Sequence, residues 1–390
     1  MRASGYPACE RIGNSRLKFS PEQDRALLDV TRWLEGGDSQ VYRLFGYAGT
    51  GKTTLARHIA ENIDGDVLFA AFTGKAAMVL RARGAKGAST IHSLIYRPRG
   101  EEVAEDEESG KEQMVPLFTL NRSSPVANAA LIVIDECSMV DEELGRDLLS
   151  FGTPVLVLGD PGQLPPVSGG GFFTEQDPDF LLEEIHRQAR DNPIVELARK
   201  VRAGERLDYG TFGESSVISK REVDQAAVLD ADQVLVGTNR TRRRYNARLR
   251  ELKGFEDALP AAGDKLVALR NDQTKGLLNG SLWRVSSAGR SSKPFMNLLV
   301  RSDDEGLERA SVKIKVLKSP FEHPEVEVPW QQKRRYDDFD YGYALTVHKA
   351  QGSQWNDVYL FNESFAFRDH PERWLYTAVT RAAQRITIVQ

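Results

Sequence analysis

Only two cysteines occur, Cys9 and Cys137, so neither a disulfide framework nor a thiolate metal site can organise the chain; such usage fits a reducing cytosol. No apolar run approaches the ~18 residues that a membrane helix needs, and the opening MRASGYPACERIGNSRLKF lacks the apolar core of a secretory signal. An excess of one charge is also missing. Lys and Arg number 52 against 56 Asp and Glu, and the resulting −4 neither demands nor forbids a nucleic-acid partner. No internal repeat stands out. The expectation is an intracellular, cytoplasmic protein with no membrane contact.

What is present is enough for two or three domains: 390 residues, 41% apolar and 28% charged, the balance of a globular chain. Charge is unevenly spread. EEVAEDEESGKE (101–112) reads as a solvated acidic insertion, and TNRTRRRYNARLR (238–250) as a basic helix face following an apolar strand. Apolar runs alternate with helix-like segments from VYRLFG (41–46) through LIVIDE (131–136) to TPVLVLGD (153–160), which predicts buried parallel strands of a doubly wound α/β unit. A second such series starts near Ile185 and ends in RITIV. Between its two halves, 259–335 changes texture to short strands broken by Gly, Asn, Asp and Ser, the pattern of a small antiparallel barrel.

The chemistry-bearing residues sit at strand ends. GYAGTGKT (46–53) has the G-x-x-x-x-G-K-[ST] spacing between a strand and a helix. Its glycines let backbone N–H groups approach phosphates, Lys52 reaches the β and γ phosphates, and Thr53 can ligate Mg²⁺. LIVIDE ends in Asp135, a second candidate for Mg²⁺, and Glu136, a candidate base for an attacking water. GDPGQLPPV (159–167) ends another strand of the same sheet, so Gln163 is placed to sense the γ-phosphate or its attacking water from a loop stiffened by prolines.

With these residues in place, the sequence resembles a superfamily 1 helicase of the RecD/Dda branch. FSPEQDRAL (19–27) resembles the adenine-reading segment, with Gln23 as reader; FTGKAA (72–77) and STIHSL (89–94) resemble DNA-contacting loops. EIHRQ (184–188) with Arg187, ALTVHKAQGSQ (344–354) and LYTAVTRA (375–382) with Arg381 follow in the family's order. The resemblance implies two RecA-like P-loop NTPase domains, 1–95 with 121–184 and 185–258 with 336–390. It also implies a pin-like insertion at 96–120, carrying Tyr96 and Phe118 as aromatic candidates, and a Src-homology-3-type β-barrel at 259–335.

The implied activity is ATP- and Mg²⁺-dependent DNA unwinding, 5′→3′ on single-stranded DNA, by a monomer acting at single-strand/duplex junctions. Replication or recombination proteins are possible partners. An RNA-stimulated ATPase and the ATPase subunit of a helicase–nuclease complex stay as alternatives. Nucleotide contacts fall to Gln23, Gly46, Ala48, Gly49, Thr50, Gly51, Lys52, Thr53, Thr54 and Gln354; catalysis to Lys52, Glu136, Gln163, Arg187 and Arg381. DNA contacts fall to Thr73, Lys75, Thr90, His92, Asn239, Thr346, His348 and Lys349, with Arg242, Arg243 and Arg244 adding attraction. Two departures from the family are Gln354, where Glu is frequent, and Cys137, where a small Ala is common.

Overall fold

The apolar runs become strands in this computed structural model, which describes residues 18–105, 112–165, 171–184, 192–272, 274–304, 311–326 and 328–390. The first unit contains β1 (Val41–Gly46), β2 (Val67–Ala71), β3 (Ser89–Thr90), a hairpin of β4 (Tyr96–Glu105) and β5 (Glu112–Leu120), β6 (Leu131–Asp135), β7 (Val155–Gly159) and β8 (Phe180–Leu182). Apart from the hairpin, these form one parallel sheet in the order β3-β2-β6-β7-β1-β8.

Side chains alternate across a strand, and the core shows it. Leu131 and Val133 pack with helices α1 (Pro21–Gly36), α2 (Lys52–Glu61) and α3 (Gly74–Ala82). Ile132 and Ile134 pack on the other face, with α4 (Ile91–Ile95) and α5 (Glu142–Leu149). All four strand residues are fully buried, which is why LIVI reads as an unbroken apolar run.

The second unit follows: α6 (Pro193–Arg202), β9 (Gly210–Phe212), β10 (Ser215–Ile218), α7 (Gln225–Asp230), β11 (Gln233–Val236) and α8 (Asn239–Leu252). The chain then leaves to build β12 (Lys265–Ala268), β13 (Leu282–Ser292), β14 (Phe295–Ser302), β15 (Val312–Leu317), single turns α9 (Ser319–Glu322) and α10 (Trp330–Lys333), and β16 (Phe339–Tyr341). It returns as β17 (Ala344–Thr346), β18 (Trp355–Phe361), α11 (Pro371–Val379) and β19 (Ala382–Val389). The second sheet runs β17-β11-β18-β19-β10-β9, parallel except for β9. The inserted strands form an antiparallel sheet, β15-β14-β13-β12-β16.

Two features differ from the sequence expectation. The small sheet takes its edge strand β16 from beyond residue 335, because the YGYALT stretch is divided: Tyr341 pairs with Leu266, and Ala344 with Val234 of the second sheet. Only Gly342 and Tyr343 join the two strands. Asn246 of α8 splints this joint, its Nδ2 donating to the carbonyls of Tyr341 and Ala344, both at 3.1 Å, and its Oδ1 accepting from the Ala344 N–H at 2.8 Å. A Cβ at Gly342 would lie 2.9 Å from the backbone of Leu266, so glycine is required there for close approach. The second difference is that β8, β9 and β10 are too short for a periodicity signal.

A candidate nucleotide cleft and two nucleic-acid edges

Strand order sets the site. Strand β7 lies between β1 and β6, so the Gly159–Gln163 turn emerges between the phosphate loop and Asp135–Glu136. The three loops wall a cleft of about 490 Å³, closed on the far side by Gly352, Ser353, Gln354, Thr380 and Arg381 of the second unit. Ala48, Gly49, Gly51, Lys52, Thr53 and Thr54 line it. Gly46 and Thr50 build the loop from behind. A Cβ on Gly46 would sit 2.7 Å from Thr50 Oγ1, and Gly51 adopts φ 82, open to glycine at little cost.

Lys52 Nζ donates to the carbonyls of Gly46 (2.5 Å) and Tyr47 (3.1 Å), holding an ammonium over the loop. Thr53 Oγ1 donates to Asp135 Oδ2 at 3.1 Å. One hydroxyl and one carboxylate suit Mg²⁺, which takes its other ligands from phosphates and water. Gln163 is buried, and its Oε1 has no hydrogen-bond partner among the described residues. Gln163 and Glu136 line the same cleft.

Glu136 is the one non-glycine residue with positive φ among those described (φ 54, ψ 46), a strained backbone that aims the side chain into the cleft. Burial holds its carboxyl above the usual carboxylate range, and the charges of Asp135 and Asp160 push the same way; Arg381 and Lys52 oppose them. Arg381 Nη1 lies 3.8 Å from Glu136 Oε1. The guanidinium is buried and held by the carbonyls of Thr377 (3.1 Å) and Ser353 (3.2 Å). Burial also raises the Cys137 thiol, which is fully enclosed and packs as the small apolar residue expected of it.

Several expected contacts are placed otherwise. Gln23 is buried as the N3 residue of a capping box: its Oε1 accepts from Ser20 N (3.0 Å) and its Nε2 donates to the Thr50 carbonyl (2.9 Å). It braces the phosphate loop from outside the cleft. Gln354 lines the cleft but accepts from Arg83 Nη2 at 2.7 Å, and Arg83 and Arg57 line the cleft beside it. No local pattern in LRARG marked Arg83, because its partner comes from the other unit. Arg187 and the end of the proline loop (166 and 167) lie outside the described residues.

The DNA candidates gather at two sheet edges. Ala71 pairs with Thr90, which puts Thr73, Thr90 and His92 at the ends of β2 and β3; Val236 pairs with Thr346, which brings Asn239, His348 and Lys349 to the corresponding edge of the second sheet. Thr73 and Thr90 cap α3 and α4, and Thr346 is buried. His92, Asn239 and Lys349 are exposed. Partial desolvation lowers both His92, whose ring is only partly covered, and half-buried His348 from the ordinary histidine range. His92 packs on Tyr96 and, edge-on, on Phe118 at the root of the hairpin.

Lys75 is a correction. It is buried in an ion pair with Asp304 at 3.0 Å and lies over the Trp355 ring, so it ties α3 to the second unit and small sheet instead of meeting solvent. Arg242 is likewise buried and paired with Asp340 at 2.7 Å, while Arg243 and Arg244 beside it are exposed.

Two α/β units that each contribute a wall to one phosphate-loop cleft define a two-unit P-loop NTPase. A family model described as an AAA domain matches residues 18–220, and a UvrD-like helicase C-terminal domain matches 341–389. The chain belongs to that AAA-domain family, and within it to the RecD/Pif1-like superfamily 1 helicases. It is 29% identical over 371 residues to the ATP-dependent RecD2 DNA helicase of Deinococcus radiodurans, covering 88% of this chain and 46% of that protein. To the RecBCD enzyme subunit RecD of Mycobacterium tuberculosis it is 28% identical over 408 residues, covering 89% and 66%. The Pif1 helicase of Bacteroides in complex with ADP-AlF3 and single-stranded DNA shares the fold at TM-score 0.55 and 18% identity, with 95% of this chain and 92% of that one covered. The chain thus spans about half the length of the RecD2 relative. Among the described residues no helix is long and apolar enough to cross a membrane.

Proposed function

We propose that the chain hydrolyses ATP and uses the cycle to move on single-stranded DNA and separate strands. The observation that carries the reading is Arg381, delivered by the second unit to within 3.8 Å of Glu136 in the first. Glu136 accepts a proton from water as general base. Gln163, on the wall of the cleft, orients that water through its amide, and Lys52 with Arg381 neutralises charge building on the γ-phosphate. Mg²⁺, held by Thr53 and Asp135, would supply Lewis-acid polarisation of the phosphate oxygens. Arg187 is a second arginine for this role by resemblance.

Because the walls belong to different units, hydrolysis requires closure and product release permits opening. Alternate grip by the two strand-end edges converts that motion into steps. The edges hold phosphates without reading bases, so the partner is single-stranded DNA of any sequence and its junction with duplex. The hairpin with Tyr96 and Phe118 acts as the strand-separating pin, and the five-stranded insertion is a Src-homology-3-type barrel. The direction is 5′→3′, as in the RecD/Dda branch, by a monomer inside the cell.

The test is strand displacement with matched 5′-tailed and 3′-tailed duplexes, alongside ATPase stimulation by poly-dT and poly-U. Unwinding from the 5′ tail with poly-dT stimulation is expected. Unwinding from the 3′ tail would overturn the direction, and absence of any nucleic-acid-stimulated ATPase would overturn the function.

A further inference from the structure

Tyr376 is buried, comes from α11 of the second unit, and touches two loops of the first. Its hydroxyl donates to Asp160 Oδ2 at 2.9 Å and accepts from the Ala48 N–H of the phosphate loop, also at 2.9 Å. One hydroxyl has one proton and room for a donor, so this pairing uses it fully. The ring lies so close to Gly162 that a Cβ there would come within 2.9 Å of it. The next residue, Thr377, accepts from Leu164 N–H at 2.9 Å, one position beyond Gln163. Arg381 follows on the same segment and hydrogen-bonds back to the Thr377 carbonyl at 3.1 Å.

We infer that Tyr376 is the residue that positions Arg381 for catalysis, by docking α11 at once on the phosphate loop and on the Asp160–Gln163 turn. The inference rests on the ATPase reading above. Separation of the units would strip Ala48 N–H and the Asp160 carboxylate of the same partner in one movement, so the hydroxyl ties the location of the arginine to the state of the phosphate loop. Tyr376 is a positioning residue: it stands behind the cleft lining and acts through Arg381. The side chain stays a neutral donor, since burial and the neighbouring Asp160 both raise its phenol above the ordinary range.

The test is a double-mutant cycle on kcat for single-stranded-DNA-stimulated ATP hydrolysis with Tyr376→Phe, Arg381→Ala and both together, each checked by thermal melting. Tyr376→Phe should lower kcat by about tenfold with KM for ATP changed by less than about threefold, the size expected for a lost hydrogen bond to a charged group. The double variant should be no slower than Arg381→Ala alone, because the two act in one chain of contacts. Multiplying losses, or a Tyr376→Phe enzyme as fast as the parent, would overturn the inference while leaving the ATPase reading intact. If Arg381→Ala leaves kcat unchanged, the charge-neutralising role of Arg381 and this inference fall together. Thr377→Val removes the neighbouring Leu164 contact and must show the same dependence on Arg381, which keeps the inference open to refutation should Tyr376→Phe not fold.

Discussion

Replacing Glu136 with Gln separates chemistry from binding and folding in one substitution. The amide keeps the shape of the carboxylate but cannot take a proton from water. A positioned general base contributes about 10²–10⁴ in rate, so kcat should fall by that factor, equivalent to roughly 3–5.5 kcal/mol. ATP binding should hold or tighten, because the substitution removes a negative charge from a cleft built to receive phosphates.

The pH behaviour follows from the raised carboxyl. The base must be ionised to act, so the acid limb of the kcat/KM profile of the parent, which reports the free enzyme, should lie above the ~4.3 of an ordinary glutamate, and the variant should lack it. Folding carries the opposite sign. A carboxyl whose folded pKa is raised contributes stability that is fully present below its unfolded pKa and is lost as pH rises through the folded value. At neutral pH the charged form is therefore a cost, and Glu136→Gln should melt higher than the parent. Single-turnover hydrolysis, titration with a fluorescent ATP analogue and melting curves make the three measurements. A variant with kcat within about threefold of the parent would remove Glu136 from the role of base, and a lower melting temperature would contradict the reading of its burial.

Two further substitutions separate coupling from structure. Gln163→Ala should reduce stimulation of ATPase by single-stranded DNA more than the basal rate, since Leu164 beside it is tied to Thr377 and accepts from Gln351 of the second unit; equal reduction of both rates would assign Gln163 to chemistry alone. Lys75→Ala should act on stability, costing about 3–5 kcal/mol by leaving Asp304 buried and unpaired, with little change in single-strand affinity measured by fluorescence anisotropy; the converse result would restore Lys75 as a DNA contact.

The contrast between Lys52 and Lys75 shows what the sequence could reveal. Lys52 is legible because its loop is local: glycines, a strand before and a helix after lie within one short stretch. Lys75 stands in an equally suggestive motif, yet its partner Asp304 is 229 residues away, and only the folded chain reveals that the pair is buried. Arg242 is the same case, paired with Asp340 across 98 residues, and Arg250 pairs with buried Asp264, so a basic run that promised a phosphate-binding face has two of its cations turned inward. Nothing local in LYTAVTRA gives the Tyr376 hydroxyl a role, since it acquires one only when Asp160 and Ala48 converge on it. The parallel sheets were readable from continuous apolar runs buried on both faces. The three short strands β8, β9 and β10 owe their existence to neighbours already in place.

The joint at Gly342–Tyr343 has a mechanical consequence. A tether of two residues, splinted by Asn246 and with Tyr343 donating to Asp264 at 2.9 Å, has no slack to absorb a rotation. The small sheet therefore behaves as a lever welded to the strand that carries Thr346 toward His348. A displacement of the second sheet arrives at the lever tip undamped, and a load on the tip is felt at the root just as directly. On the strand-separating function proposed above, stiffness of this kind turns domain closure into work against resistance instead of into bending of the frame.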